Sequence, residues 1–272
     1  MAVIIAGVLN LTPDSFSDGG RFTTVDVAVE AALAMVDAGA QWIDVGGEST
    51  RPRSQPVVQD EEIGRVIPVI RALAASLAGR AQISVDTYKA STAKAALEAG
   101  ASIVNDVSGG LLDASMLEVC ARADATVVLG HLRDRPTTMM ENVHFDNVVA
   151  EVAAELGERI AAARDAGCRT IWADPGIGFG KYLSHNLALL GNLGPLCQAL
   201  AVPVMIGVSR KRFLGDLTGK SVEGRTFATA GAVAAAVLGG AAAVRVHDVA
   251  EMADVVKVAE AIASSRATAQ TH

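Results

Sequence analysis

Eight times along the chain a short apolar run stops at a polar or glycine-rich corner. The runs end near Asn10, Asp44, Asp86, Asn105, His131, Asp174, Ser209 and His247, and helix-spaced apolar residues fill the stretches between them. A strand followed by a helix, repeated eight times, predicts an α/β protein: a closed (β/α)8 TIM barrel with residues 1–272 as a single domain. An open doubly wound sheet alternates in the same way, but no G-x-G-x-x-G follows the first run. In such barrels the chemistry gathers at the C-terminal ends of the strands. The polar corners are therefore the candidate site.

The apolar runs place strands at 3–9, 41–45, 82–86, 102–105, 125–130, 170–173, 203–207 and 242–246. Helical spacing covers 25–38, 61–77, 89–99, 113–123, 146–166, 184–191, a broken stretch over 212–239, and 249–263. Residues 264–272 lack apolar spacing and are expected to fray. The loops 10–24 and 46–59 far exceed the usual 2–6 residues, which marks them as functional. With 51% hydrophobic but only 4% aromatic residues, the core must be built mainly from Ala, Val, Leu and Ile. That suits parallel strands buried on both faces.

The net charge of −7 argues against non-specific nucleic-acid binding. It does not forbid an anionic substrate, because Arg51, Lys211 and Arg245 all fall at strand ends. Cys120, Cys168 and Cys197 are far apart and form no C-x-x-C pair, as expected of small core residues in a reducing compartment. The opening residues carry no basic leader, and no apolar run reaches the roughly 20 residues of a membrane span. A cytoplasmic protein without a membrane partner is expected.

Asp86, Asn105 and Asp174 close three different strands. Each could simply cap the helix that follows it. Three of them at one barrel mouth, with Lys211 opposite, form a better pocket for a flat heterocycle rich in N–H groups. Asp174 opens the densest motif, DPGIGFGK (174–181), in which Phe179 is either an exposed aromatic wall or a plug under the loop. Arg210, Lys211 and Arg212 stand in a row after the seventh strand, where barrels often bind phosphate. Arg245 and His247 lie two apart at the eighth, so both should point the same way as a phosphate fork and a second donor. Asn10 and the Ser49–Pro52 segment are suited to phosphate and to the waters of a bound Mg²⁺. His131, His144 and His185 lack metal-ligand spacing, so a metal would arrive with the substrate. The expected layout is acids beneath and cations at the rim.

Seven segments together resemble the dihydropteroate synthase family: GVLNLTPDSFSDGG (7–20), DVGGESTRP (44–52), SVDT (84–87), VNDVSGG (104–110), DPGIGFGK (174–181), GVSRKRFLG (207–215) and VRVHDV (244–249). The resemblance implies condensation of 6-hydroxymethyl-7,8-dihydropterin diphosphate with 4-aminobenzoate to 7,8-dihydropteroate and pyrophosphate, with Mg²⁺ as cofactor. It implies pterin contacts from Asp86, Asn105, Asp174, Gly207 and Lys211. Pyrophosphate would be held by Asn10, Thr50, Arg51, Arg245 and His247, with Asn10 as the metal ligand. The aminobenzoate site would comprise Phe16, Thr50, Pro52, Phe179, Ser209, Lys211 and Arg212. Asp86, Asp174, Lys211, Arg245 and His247 would be catalytic. A homodimer through 226–239 and 249–263 is also implied.

The chain departs from the family pattern at three positions. Gly130 replaces a common Met and should thin one wall of the pterin pocket. Arg212 replaces a common Ser, and Arg53 a common Gly. A corrinoid-dependent pterin methyltransferase could share the acidic residues, but it would not need the basic corner or Arg245 with His247. A non-catalytic pterin-binding paralogue is the other alternative.

Overall fold

A computed structural model describes residues 2–11, 24–49 and 54–269. The eight apolar runs are its eight strands: β1 (Ile4–Asn10), β2 (Trp42–Gly46), β3 (Gln82–Asp86), β4 (Ile103–Asp106), β5 (Thr126–Gly130), β6 (Thr170–Asp174), β7 (Met205–Gly207) and β8 (Ala243–Val246). All pairings are parallel, in the order β6-β5-β4-β3-β2-β1-β8-β7. The remaining gap is closed by a bridge from Ala173 to Val204 and a 3.0 Å bond from the Ala173 N–H to the Pro203 carbonyl. The sheet is a barrel, not an open wound sheet.

Among the described residues the helices are α1 (Thr24–Asp37), α2 (Gln59–Leu77), α3 (Ala90–Ala99), α4 (Met116–Arg122), α5 (Val148–Asp165), α6 (Leu183–Gly191), α7 (Leu193–Leu200), α8 (Arg212–Thr218), α9 (Thr226–Leu238) and α10 (Val249–Ala269). Three differences from the sequence reading have local causes. The stretch 212–239 is broken where Gly219 takes φ +69°, a left-handed angle that ends α8, and a 3-10 turn at Glu223–Arg225 leads into α9. Apolar spacing predicts no helix over 192–202, yet α7 forms there and buries Leu193, Leu196 and Leu200. α10 continues to Ala269, into the segment expected to fray, because Ala- and Ser-rich sequence permits helix without apolar spacing.

Inside the barrel, side chains stack in layers. The lower layer holds Ala6, Trp42, Ile103, Val128, Trp172, Met205 and Ala243. Trp42 and Trp172 meet edge to face with ring centroids 4.8 Å apart. The small Ala6 and Ala243 leave room for the two indoles. Outside the strands a continuous aliphatic core joins sheet to helices.

Candidate functional site

Side chains alternate along a strand with period two. Two residues beyond the lower layer come Asp44, Asn105, Gly130, Asp174, Gly207 and Arg245. The barrel therefore changes from apolar to polar within one layer, at the ends of its strands. Register brings the partners side by side: Asp86 lies opposite Asn105, Gly130 opposite Asp174 and Gly207 opposite Arg245.

One cavity is lined by Asp86, Asn105, Asp174, Gly207, Lys211 and Arg245, with Phe179 and Val107 on its apolar side. Arg245 donates from Nη2 to Asp86 at 2.6 Å and from Nε to Asp44. Asn105 donates its amide to the same Asp44 oxygen at 3.0 Å. Lys211 donates to the Ile177 carbonyl and sits 4.2 Å from the centroid of Phe179. Phe179 is thus a wall of the cavity, not a plug beneath the loop.

The glycine-rich turn is shaped by contact. Gly176 has φ +68°, and a Cβ there would lie 2.1 Å from the His131 carbonyl. The Gly176 N–H donates to Asp174 at 2.8 Å. Lys181 holds the turn from behind, through Phe179 O at 3.0 Å and His131 Nδ1 at 2.9 Å. At Gly130 a Cβ would sit 2.5 Å from Val107 O. The wall expected to be thinner is filled by the β4 loop, which moves into the space a side chain would need.

Burial sets the charge states. It pushes the Asp86 carboxyl up to about 7, opposed by Arg245 and reinforced by Asp44. It raises Asp174 too, opposed by Lys211 and the Gly176 N–H. It brings the Lys211 ammonium down to about 8 against the pull of Asp174. Burial also works against the charge on Arg245, yet Asp44 and Asp86 more than offset it and hold the guanidinium above its ordinary range.

Not every expected residue reaches this cavity. Arg245 is not at a rim above the acids; it lies between Asp44 and Asp86. His247 and Ser209 pair with each other beside the cavity, the hydroxyl accepting from the His247 N–H at 3.1 Å and lying 3.0 Å from its Nδ1. β8 ends at Val246, so His247 lies just beyond the strand that carries Arg245. The three consecutive cations separate. Arg210 takes φ +58° and pairs with Asp248, Lys211 turns inward, and the Arg212 side chain is 83% exposed beside Asp216. Arg212 therefore does not line the cavity. Asn10 ends β1, and its amide oxygen and the Asp86 side chain flank Gly46. Phe16, Thr50, Arg51, Pro52 and Arg53 lie outside the described residues. Sequence reasoning missed Asp44, Val107 and Gly176 as site residues. The period-two spacing from Trp42 was the signal that would have found Asp44.

Residues 6–247 match the family described as pterin binding enzyme. The chain belongs to the pterin-binding enzyme family. A dihydropteroate synthase from Streptococcus pyogenes is 46% identical over 258 residues, covering 93% of each chain. A folate synthesis bifunctional protein from Arabidopsis thaliana is 41% identical over 96% of this chain, which spans only 57% of that longer protein. Dihydropteroate synthase from Xanthomonas albilineans, solved with 4-aminobenzoic acid, superposes with a TM-score of 0.88 at 43% identity, covering 96% of this chain and 93% of that one. The same enzyme has also been solved in complex with 7,8-dihydropteroate. Within the pterin-binding family, the buried acids and the glycine-rich turn of this chain fall at strand ends of one barrel mouth.

Proposed function

We propose that the chain is a dihydropteroate synthase, joining 6-hydroxymethyl-7,8-dihydropterin diphosphate to 4-aminobenzoate. The observation that carries this reading is a single cavity where Asp86, Asn105, Asp174, Lys211 and Arg245 converge against Phe179. Asp86, Asn105 and Asp174 offer acceptors to the N–H edge of a pterin, and Lys211 offers a donor to its ring acceptors. When the C–O bond to the diphosphate breaks, positive charge develops on the pterin methylene. The ionised carboxylates of Asp86 and Asp174 stabilise that charge, while Arg245 with His247 stabilises the departing anion. The arylamine then forms the new C–N bond and releases its proton to solvent. No strong general base is required.

Among the described residues, no group of three or more His, Cys, Asp or Glu is placed to hold a metal ion. The donor set fits Mg²⁺ bound chiefly by phosphate oxygens and water, with Asn10 as its protein ligand. When bound, the ion would offset charge on the leaving group. Phe179 would pack against the aminobenzoate ring, with Ser209 nearby. Arg212 would reach its carboxylate only by turning inward from its exposed position. We further propose a homodimer and a cytoplasmic location. Exposed Phe227, Val258 and Ile262 on α9 and α10 support the dimer. The free cysteines are consistent with the location, and no described helix is long and apolar enough to cross a membrane.

The test is pyrophosphate release from the pterin diphosphate, measured with and without 4-aminobenzoate. Release that depends on the arylamine and yields dihydropteroate is expected. A methyltransferase or a non-catalytic paralogue would give none.

A further inference from the structure

Asp44 does not line the cavity, yet two of the groups that do are fixed to it. It stands two residues beyond Trp42 on β2 and is 2% exposed. One of its oxygens, Oδ2, accepts from both Arg245 Nε and Asn105 Nδ2. Arg245 continues from Nη2 to Asp86, which faces Asn105 across the β3–β4 pair. Asn105, Asp44, Arg245 and Asp86 thus form a hydrogen-bonded chain around one quadrant of the barrel mouth, its two ends on paired strands. The other Asp44 oxygen, Oδ1, is buried without a hydrogen-bond partner among the described residues.

Stability alone does not account for this carboxylate. Buried ion pairs recover little more than their desolvation cost, and apolar filling usually serves a fold as well. The lower layer of this barrel is filled in that way. The geometry supplies another purpose. Carboxylates at Nε and Nη2 fix the guanidinium plane, and Nη1 has no acceptor among the described residues. Asp86 alone would leave that plane free to rotate.

We propose that Asp44 is a positioning residue for pyrophosphate departure. It acts through Arg245, whose guanidinium it orients toward the leaving group. This rests on the synthase reading given above.

Asp44→Asn keeps the shape and removes the charge. Its expected effect is a fall in kcat of about 30-fold, with KM for 4-aminobenzoate changed less than about threefold. The decisive comparison repeats the substitution in an Arg245→Gln background. If Asp44 acts through Arg245, it should there cost less than about threefold more. An equal fold-loss in both backgrounds would indicate a structural role only and overturn the proposal, as would unchanged kcat for D44N. Should D44N not fold, Arg245→Lys keeps the cation without the donor at Nε. A large fall in kcat supports the pinned guanidinium, and full turnover overturns it. Wild-type protein that released no pyrophosphate would overturn the synthase reading and this inference with it, whereas full turnover by D44N overturns the inference alone.

Discussion

Lys211 serves two surfaces with one ammonium. It donates to the Ile177 carbonyl, tying down the glycine-rich turn, and it lies over the face of Phe179. Its charge must persist for the contact over the ring, and burial lowers its pKa to about 8. Asp86 faces the opposite problem, because burial raises it to about 7 and only the ionised form can stabilise a cation. The signs set a window: Asp86 is ionised above about 7 and Lys211 protonated below about 8. For the free enzyme, kcat/KM toward the pterin diphosphate should therefore trace a narrow bell between those values. A profile flat from about pH 5 to about pH 9 would contradict the assignment. Asp174→Asn removes a carboxylate from the other side of the cavity, and kcat should fall about 100-fold or more in single-turnover assays, with the melting temperature nearly unchanged. Both acids were legible in the sequence because each ends an apolar run, where a carboxylate has a strand behind it and a helix ahead. Asp44 ends such a run too. Its role was not legible, because its partner Arg245 is 201 residues away and the pairing exists only once β1 brings β2 and β8 together around the barrel.

Among the elements, strands were read more accurately than helices. A buried parallel strand is a short apolar block with a polar stop, and the stop survives in the sequence. Helix ends depend on tertiary packing, so α7 and the continuation of α10 escaped notice. The base of the second long loop shows what local reading cannot see. Glu48 accepts from Tyr88 Oη at 2.6 Å, from the Val57 N–H at 3.2 Å and from Lys89. Lys89 also reaches Glu62 on α2 at 2.6 Å. One lysine at the start of α3 therefore joins the loop stem to a second helix, and Tyr88 packs against the same Val107, Leu132 and Met139 cluster as Phe179. The Glu62 side chain is only 1% exposed and that of Glu48 6%. Lys89→Met would strand both charges. The expected loss is about 3 kcal/mol, or about 6 °C in melting temperature. Adding Glu62→Gln to Lys89→Met should restore part of it, since one stranded charge is then gone. Calorimetry of the single and double variants checks this, and a single variant that melts within a degree of wild type would show the cluster to be dispensable.

At the scale of the whole molecule, the barrel separates its tasks by face. The strand ends hold the cavity, while the outer helices must either meet water or meet another chain. Large apolar side chains stand exposed on α6 at Leu187 and on α8 at Leu217, and the two most exposed on any described helix, Phe227 and Val258, belong to α9 and α10, which pack against each other. Phe227, early in α9, is 91% exposed, and Val258 and Ile262, one turn apart on α10, are 61% and 43% exposed. A lone exposed aliphatic residue is ordinary. A nearly bare phenylalanine and a two-residue apolar step on adjoining helices are what the proposed dimer would cover. The Ala-rich composition of α9 would let a second chain approach closely. A symmetric dimer would bury the same patch on both copies, so one substitution acts twice. Phe227→Glu together with Val258→Glu should convert dimer to monomer in sedimentation equilibrium. Because the patch lies on the outer helices and the cavity lies inside the barrel mouth, kcat per chain should change less than about twofold in the monomer. A wild-type chain that sediments as a monomer at high micromolar concentration would refute the dimer and leave the cavity untouched. A double variant that stays dimeric would move the interface to another face of the ring.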